Sequence, residues 1–250
     1  MSCCLSRVIR RCLAALIGLC VVTCPSWSLP ARADDSASST EGNLSQTAAS
    51  VNSADVAIFD GKTLEGWRII EDADFKQHGD VHVKDGVIIL PKGKPATGIS
   101  WKGQLPRSNY EVTFAGQRVD GGDFFCGLTF PVKEEYCTLI LGGWGGQVIG
   151  LSNIDGYSAI ENSTTQSFDF NNETWYKVML RVTDGQITAE IDGKTMVDVA
   201  TEGHRFSIWW EQEPVTPLGI VTWHTTGAIK DLKLKKLPAQ TSEESAQRSE

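Results

Sequence analysis

The residues of this chain best suited to chemistry are a few acids and one histidine set beside tryptophans. The run Phe206-Ser207-Ile208-Trp209-Trp210-Glu211-Gln212-Glu213 puts two indoles next to two carboxylates. If it ends a strand, Trp209 and Trp210 face opposite sides, so one joins the core and the other lines a cleft with Glu211 or Glu213 nearby. Trp223-His224 closes a later strand in the same way, and His224 offers a base or a hydrogen-bond partner for a sugar. In Gly142-Gly143-Trp144-Gly145-Gly146 four glycines bare the backbone around one large aromatic face. Such a face either stacks on the apolar C–H side of a sugar ring or caps the core. Asp155 and Glu161 bracket a polar segment and are a candidate acid/base pair, although Asn153 and Asp155 also suit turn formation.

Much else is excluded. The chain has no Gly-x-Ser-x-Gly, no His-Glu-x-x-His, no phosphate loop and no dinucleotide fingerprint. Its four histidines (His78, His82, His204, His224) are scattered, with no metal-ligand spacing. No cofactor is required by the sequence.

The positioning elements are strands. Asp-Gly pairs at 60–61, 85–86, 120–121, 155–156, 184–185 and 192–193 punctuate alternating runs, a hairpin signal because glycine takes a positive φ freely. In Trp175–Asp192, Tyr176, Val178, Leu180 and Val182 alternate with polar positions, and Ile187, Ala189 and Ile191 do so after the turn. That register pairs Leu180 with Ala189 and Arg181 with Thr188, placing both apolar sets on one face. Further strands are expected at 80–84, 86–90, 110–118, 124–130, 136–141, 147–151, 206–210, 219–223 and 228–237, the last with lysines on a solvated face. This many short strands without a convincing helix predicts an all-β, two-sheet antiparallel sandwich or jelly roll.

Residues 1–33 read as a signal peptide: Arg7, Arg10 and Arg11, an apolar run from Cys12 to Cys24, and Ala31-Arg32-Ala33 as cleavage site. The apolar run is too short to span a bilayer, so no transmembrane anchor is expected in the mature chain. Thr23 before Cys24 is a poor fit to a lipoprotein signal. The expected location is periplasmic or extracellular. Residues 34–54, rich in Ser, Ala, Thr and Asn, read as a disordered linker, 55–238 as the folded domain, and 239–250 as a loose tail. The 250-residue chain carries a net charge of −8; without the four arginines of the leader it has 19 basic and 31 acidic residues, a net −12. Such a balance repels nucleic acid and suits a neutral partner. Five of the seven cysteines lie in the leader. The other two, Cys126 and Cys137, flank the turn Phe130-Pro131-Val132-Lys133. If Thr129 pairs with Glu134 they fall opposite each other and can form a disulfide in an oxidising compartment; otherwise they are two buried thiols.

Four segments together resemble the 3-keto-disaccharide hydrolase domain family, whose fold is a concanavalin A-like jelly roll. They are Phe59-Asp60-Gly61-Lys62-Thr63-Leu64-Glu65-Gly66-Trp67, Val83-Lys84-Asp85-Gly86-Val87-Ile88, Trp175–Val178 running into Ile191–Lys194, and Leu218–His224 running into Ile229–Leu234. The likeness covers about 56 to 237. It departs where the family has a Gly-Asn-Ser-Gly turn and a strand ending in Arg; this chain has Gly122-Asp123-Phe124-Phe125 and Thr129. It departs again at Tyr136-Cys137-Thr138-Leu139, where the family is polar. Asp123 and His224 carry over.

The resemblance implies a sugar whose C3 ketone acidifies the C2 hydrogen. A base removes that hydrogen, the glycosidic oxygen leaves C1, and water adds back. This requires a base, an acid and a partner for the enolate. Glu211, Glu213, Asp155, Asp123 and His224 are the candidate acids and bases, Arg118 the candidate enolate partner, and Trp144, Trp209 and Trp223 the sugar-binding faces. The spacing neither demands nor excludes a divalent metal, which family members can use. A direct two-carboxylate glycosidase would draw on the same acids. The first reading is a secreted hydrolase of a glycosidic bond; the alternatives are a non-catalytic carbohydrate-binding module and an adhesive envelope domain.

Overall fold

A computed structural model describes residues 55–239. The leader, the linker and all but the first residue of the tail expected above lie outside the described residues. In chain order the strands are β1 (Val56–Ala57), β2 (Trp67–Ile69), β3 (His82–Lys84), β4 (Val87–Leu90), β5 (Ala96–Trp101), β6 (Tyr110–Gly121), β7 (Cys126–Val132), β8 (Glu135–Gly143), β9 (Val148–Ser152), β10 (Gln166–Ser167), β11 (Trp175–Val182), β12 (Gln186–Ile191), β13 (Lys194–Ala200), β14 (Gly219–Trp223) and β15 (Thr225–Lys236). Two short 3-10 helices, Ala73–Phe75 and Trp210–Val215, interrupt them.

The strands form two antiparallel sheets. One runs β13-β12-β11-β6-β15-β4-β3, with β1 also paired to β15; the other runs β10-β9-β8-β7-β14-β5-β2. Alternation decides which faces meet. Val178, Leu180 and Val182 of β11 and Val112 and Phe114 of β6 are buried against Leu128 and Phe130 of β7 and Leu139 and Leu141 of β8. Each such side chain contributes about 1.5–3 kcal/mol by leaving water, and the period of two commits its neighbours to the outer face. Leu180 pairs with Ala189 and Arg181 with Thr188, as the alternation requires. Asp85-Gly86 and Asp192-Gly193 both sit at positive φ and close two-residue hairpins, the mirror-image turn that matches strand twist.

On β15 Ile229, Leu232 and Leu234 point inward while Lys233 and Lys236 are exposed. A register shift between Lys230 and Lys233 keeps both apolar sets inside.

Two expectations are corrected. The turn after β7 is Lys133-Glu134, so Val132 opposes Glu135, Phe130 opposes Cys137, and Cys126 opposes Leu141. Cys126 and Cys137 are therefore not cross-strand partners but free, fully buried thiols. Residues 206–210 are not a sheet strand. Phe206 bridges Ile154, and Ser207 and Asn153 exchange backbone hydrogen bonds of 2.6 and 3.1 Å. Pairing with a loop lapses after Ser207, so no sheet face governs the next residues. Trp209 and Trp210 are 46% and 60% exposed, and neither joins the core.

Candidate functional site

The face of the second sheet turned away from the core carries a cleft. Inward Cys137, Leu139 and Leu141 leave Thr138 and Ile140 of β8 pointing outward, and inward Ile149 and Leu151 do the same for Ser152 of β9. These form the floor. On β14, inward Ile220 turns Val221 and Trp223 outward. Val221 is covered by Ile70, Phe75, Ala96 and Val215, whereas Trp223 stays half-buried on the cleft wall, stacked on Phe124 with ring centroids 6.1 Å apart. Trp144 in the β8–β9 bend forms one side; Trp209, Glu211 and Gln212, at the start of the second 3-10 helix, form the other. The cleft holds about 280 Å³, at the small end of ligand sites.

Glycine geometry fixes the bend. Trp144 lies at φ 47°, and Gly142, Gly145 and Gly146 at 80°, 92° and 101°. These left-handed values suit glycine and strain other residues.

Five of the residues singled out by sequence converge here: Asp123, Trp144, Trp209, Glu211 and Trp223. Burial pushes the Asp123 carboxyl above its ordinary value, while the Phe124 and Trp144 backbone N–H groups, His224 and Arg118 pull it down. Phe124 N–H donates to Asp123 Oδ1 at 2.7 Å, and Asp123 N–H donates to Thr225 Oγ1 at 3.0 Å. Glu211 differs. Its Oε2 is shut away from water with no hydrogen-bond partner. His224 does not line the cleft; it is exposed, held by its N–H to Pro95 O at 2.8 Å, and its ring lies 5.8 Å from that of Trp223.

The other three are elsewhere. Asp155 Oδ2 bonds His204 Nδ1 at 2.7 Å and its Oδ1 accepts the Arg205 N–H at 2.8 Å, so this carboxylate pins a turn. It does not pair with Glu161, which accepts from Ser158 Oγ. Glu213 is exposed and does not line the cleft. Arg118 is buried and donates to Asn172 Oδ1 (2.8 Å), Gly146 O (3.1 Å) and Phe170 O. With Nε, Nη1 and Nη2 each held by one of these acceptors, it does not line the cleft. Sequence reasoning missed Gln212 and the floor residues Thr138 and Ser152. Gln212 is buried, and its Oε1 accepts from Thr129 Oγ1, which in turn bonds Thr138 Oγ1 at 2.9 Å. That leaves the Gln212 amide NH₂ as the end free to meet a ligand.

The model of the 3-keto-alpha-glucoside-1,2-lyase-like domain matches residues 54–235, almost the whole described chain. The protein belongs to this family. No curated protein sequence matches it. Among solved structures, a Bacillus subtilis protein with a galectin-like fold superposes with a TM-score of 0.52 at 10% identity, covering 71% of this chain and 92% of that one. The Crh5 transglycosylase in complex with NAG gives 0.51 at 12%, covering 74% and 85%. The carbohydrate-binding module CBM66 from Bacillus subtilis gives 0.45 at 9%, covering 68% and 96%. At these identities the likeness is one of fold, the jelly-roll sandwich. For a lyase-like domain the cleft is neutral on its floor and acidic on its walls. Nowhere among the described residues do three or more His, Cys, Asp or Glu side chains come together as a metal-binding group.

Proposed function

We propose that the protein is an exported enzyme that cleaves the glycosidic bond of a neutral 3-keto-glycoside by elimination. The observation that carries the reading is the meeting of two carboxyl groups, Asp123 and Glu211, with three tryptophans in one cleft. The indole faces hold the sugar by its C–H side. Glu211, which lines the cleft, takes the C2 proton made acidic by the C3 ketone. The electron pair passes into the enolate, whose oxygen is met by the Gln212 NH₂. The enolate collapses, C1=C2 forms, and the C1–O bond breaks. Asp123, its carboxyl raised by burial, gives its proton to the departing oxygen. Water adding at C1 returns a proton to Asp123 while Glu211 returns its own to C2, completing a net hydrolysis.

One observation favours a binding module instead: no lysine or arginine lines the cleft to stabilise an enolate. The two readings part on turnover. The protein without residues 1–33 is incubated with 3-keto-disaccharides and their unoxidised parents, with and without chelator, and released monosaccharide is followed. Release from the keto sugars alone, lost in Glu211→Gln and Asp123→Asn, is expected. Binding by calorimetry without release from any sugar would leave the binding module.

A further inference from the structure

Arg118 shares the inward parity of Phe114 on β6 and is only 6% exposed. A guanidinium keeps its charge, and burying it is costly unless every donor is met. Here its partners are all neutral: the Asn172 side chain and the carbonyls of Gly146 and Phe170. Among the described residues it forms no salt bridge. Ion pairing therefore does not explain its burial, and its contacts show what it holds. Gly146 ends the bend that carries Trp144, and a Cβ on Gly146 would lie 2.6 Å from Arg118 Nη1 and 3.2 Å from Gly122 O. The guanidinium and the residue before Asp123 thus pack on the same bare glycine. The Trp144 backbone N–H, two residues along the bend, is among the groups that draw the Asp123 carboxyl down.

We propose that Arg118 is a positioning residue of the cleft: without touching the sugar, it fixes the bend that presents Trp144 and packs its positive charge against the backbone that leads into Asp123. This rests on the reaction proposed above, in which Asp123 is left as a carboxylate once its proton has gone. The charge of Arg118 favours that carboxylate, as do the Phe124 and Trp144 N–H groups and His224; burial opposes it, and Glu211 across the cleft adds like charge. Arg118 therefore makes Asp123 a stronger acid. Losing its charge moves the Asp123 titration to higher pH, and with it the alkaline limb of the rate profile.

Three variants separate geometry from charge. Arg118→Met removes both. Arg118→Lys keeps the charge but cannot span three acceptors. Asn172→Asp leaves the side chain in place and gives it a counter-ion, so it serves even if Arg118→Met does not fold. Asp123 is followed by carboxyl ¹³C NMR against an Asp123→Asn spectrum, and Trp144 by fluorescence against Trp144→Phe. Arg118→Met and Asn172→Asp are expected to raise the Asp123 titration and, because the acid is weaker, to lower kcat on its pH-independent plateau by about tenfold. Arg118→Lys is expected to leave the Asp123 titration near wild type while shifting Trp144 emission to the red and raising KM. An unmoved Asp123 titration in both charge-removing variants would overturn the proposal. Absence of turnover by the wild type would overturn the reaction, but the titration would still decide the role of Arg118.

Discussion

At Glu211 a carboxylate oxygen sits out of water with nothing to bond it, an arrangement that costs about 1–3 kcal/mol. Glu211→Gln is expected to lower kcat/KM by roughly 10²–10⁴-fold while the thermal midpoint holds or rises. A falling midpoint with turnover intact would make Glu211 structural. The thiols are the opposite case. Burial pushes Cys126 and Cys137 far above the ordinary thiol range, and a thiol held protonated is a poor nucleophile. Ellman's reagent should find neither in the native protein without residues 1–33 and both in guanidinium; rapid native labelling would contradict their burial. The acids and tryptophans of the cleft were legible because their types are informative wherever they fall. Gln212, Thr129 and Thr138 were not, because neutral polar residues carry no signal until a fold brings them together. Arg118 was legible only as a cation, because sequence shows the charge but not its acceptors.

Among the elements, hairpins with alternating faces declared themselves. The β11–β12 register followed from the period alone. β5 gave no such sign, because Ala96-Thr97-Gly98-Ile99-Ser100 is buried throughout, its outer face lying under the 3-10 helices. The β7–β8 hairpin shows the limit of turn counting. Moving the turn to Lys133-Glu134 changes every cross-strand partner, and with them the disulfide. Loops are also pinned by single side chains. Asp184, at the β11–β12 turn, accepts from Ser108 Oγ and from Asn109 Nδ2 at 2.7 Å, bonds that hold its carboxyl below the usual range. A lowered carboxyl stabilises the fold above its unfolded-state value, and that contribution is lost as pH falls through the folded value. Asp184→Ala should therefore melt below wild type at pH 7, with the gap closing in acid. A gap that persists unchanged in acid would mean that the ionised carboxylate is not what holds the turn.

Across the whole molecule, charge and cleft select the same kind of ligand. The chain is acidic, at −8 in full and −12 without residues 1–33. The cleft walls carry Asp123 and Glu211, its floor is the neutral pair Thr138 and Ser152 with Ile140, and no cation lines it. Where the family pattern has an arginine-ended strand, Thr129 turns instead to Thr138 and Gln212. A uronate or a sugar phosphate would bring negative charge against two carboxyl groups, with no lysine or arginine among the described lining residues to touch it. A neutral keto-disaccharide brings only its ring faces, its hydroxyls and a carbonyl. Salt separates the two cases, because screening weakens charge–charge terms and leaves stacking nearly untouched. Tryptophan quenching should give the same Kd for the neutral sugar at 50 and 500 mM sodium chloride, within about twofold. The matching uronate should bind more weakly at low salt and improve as salt rises. Tighter binding of the uronate at low salt would require a cation in the cleft that the sheet face does not supply, and would reassign both the substrate class and the side chain that meets the enolate.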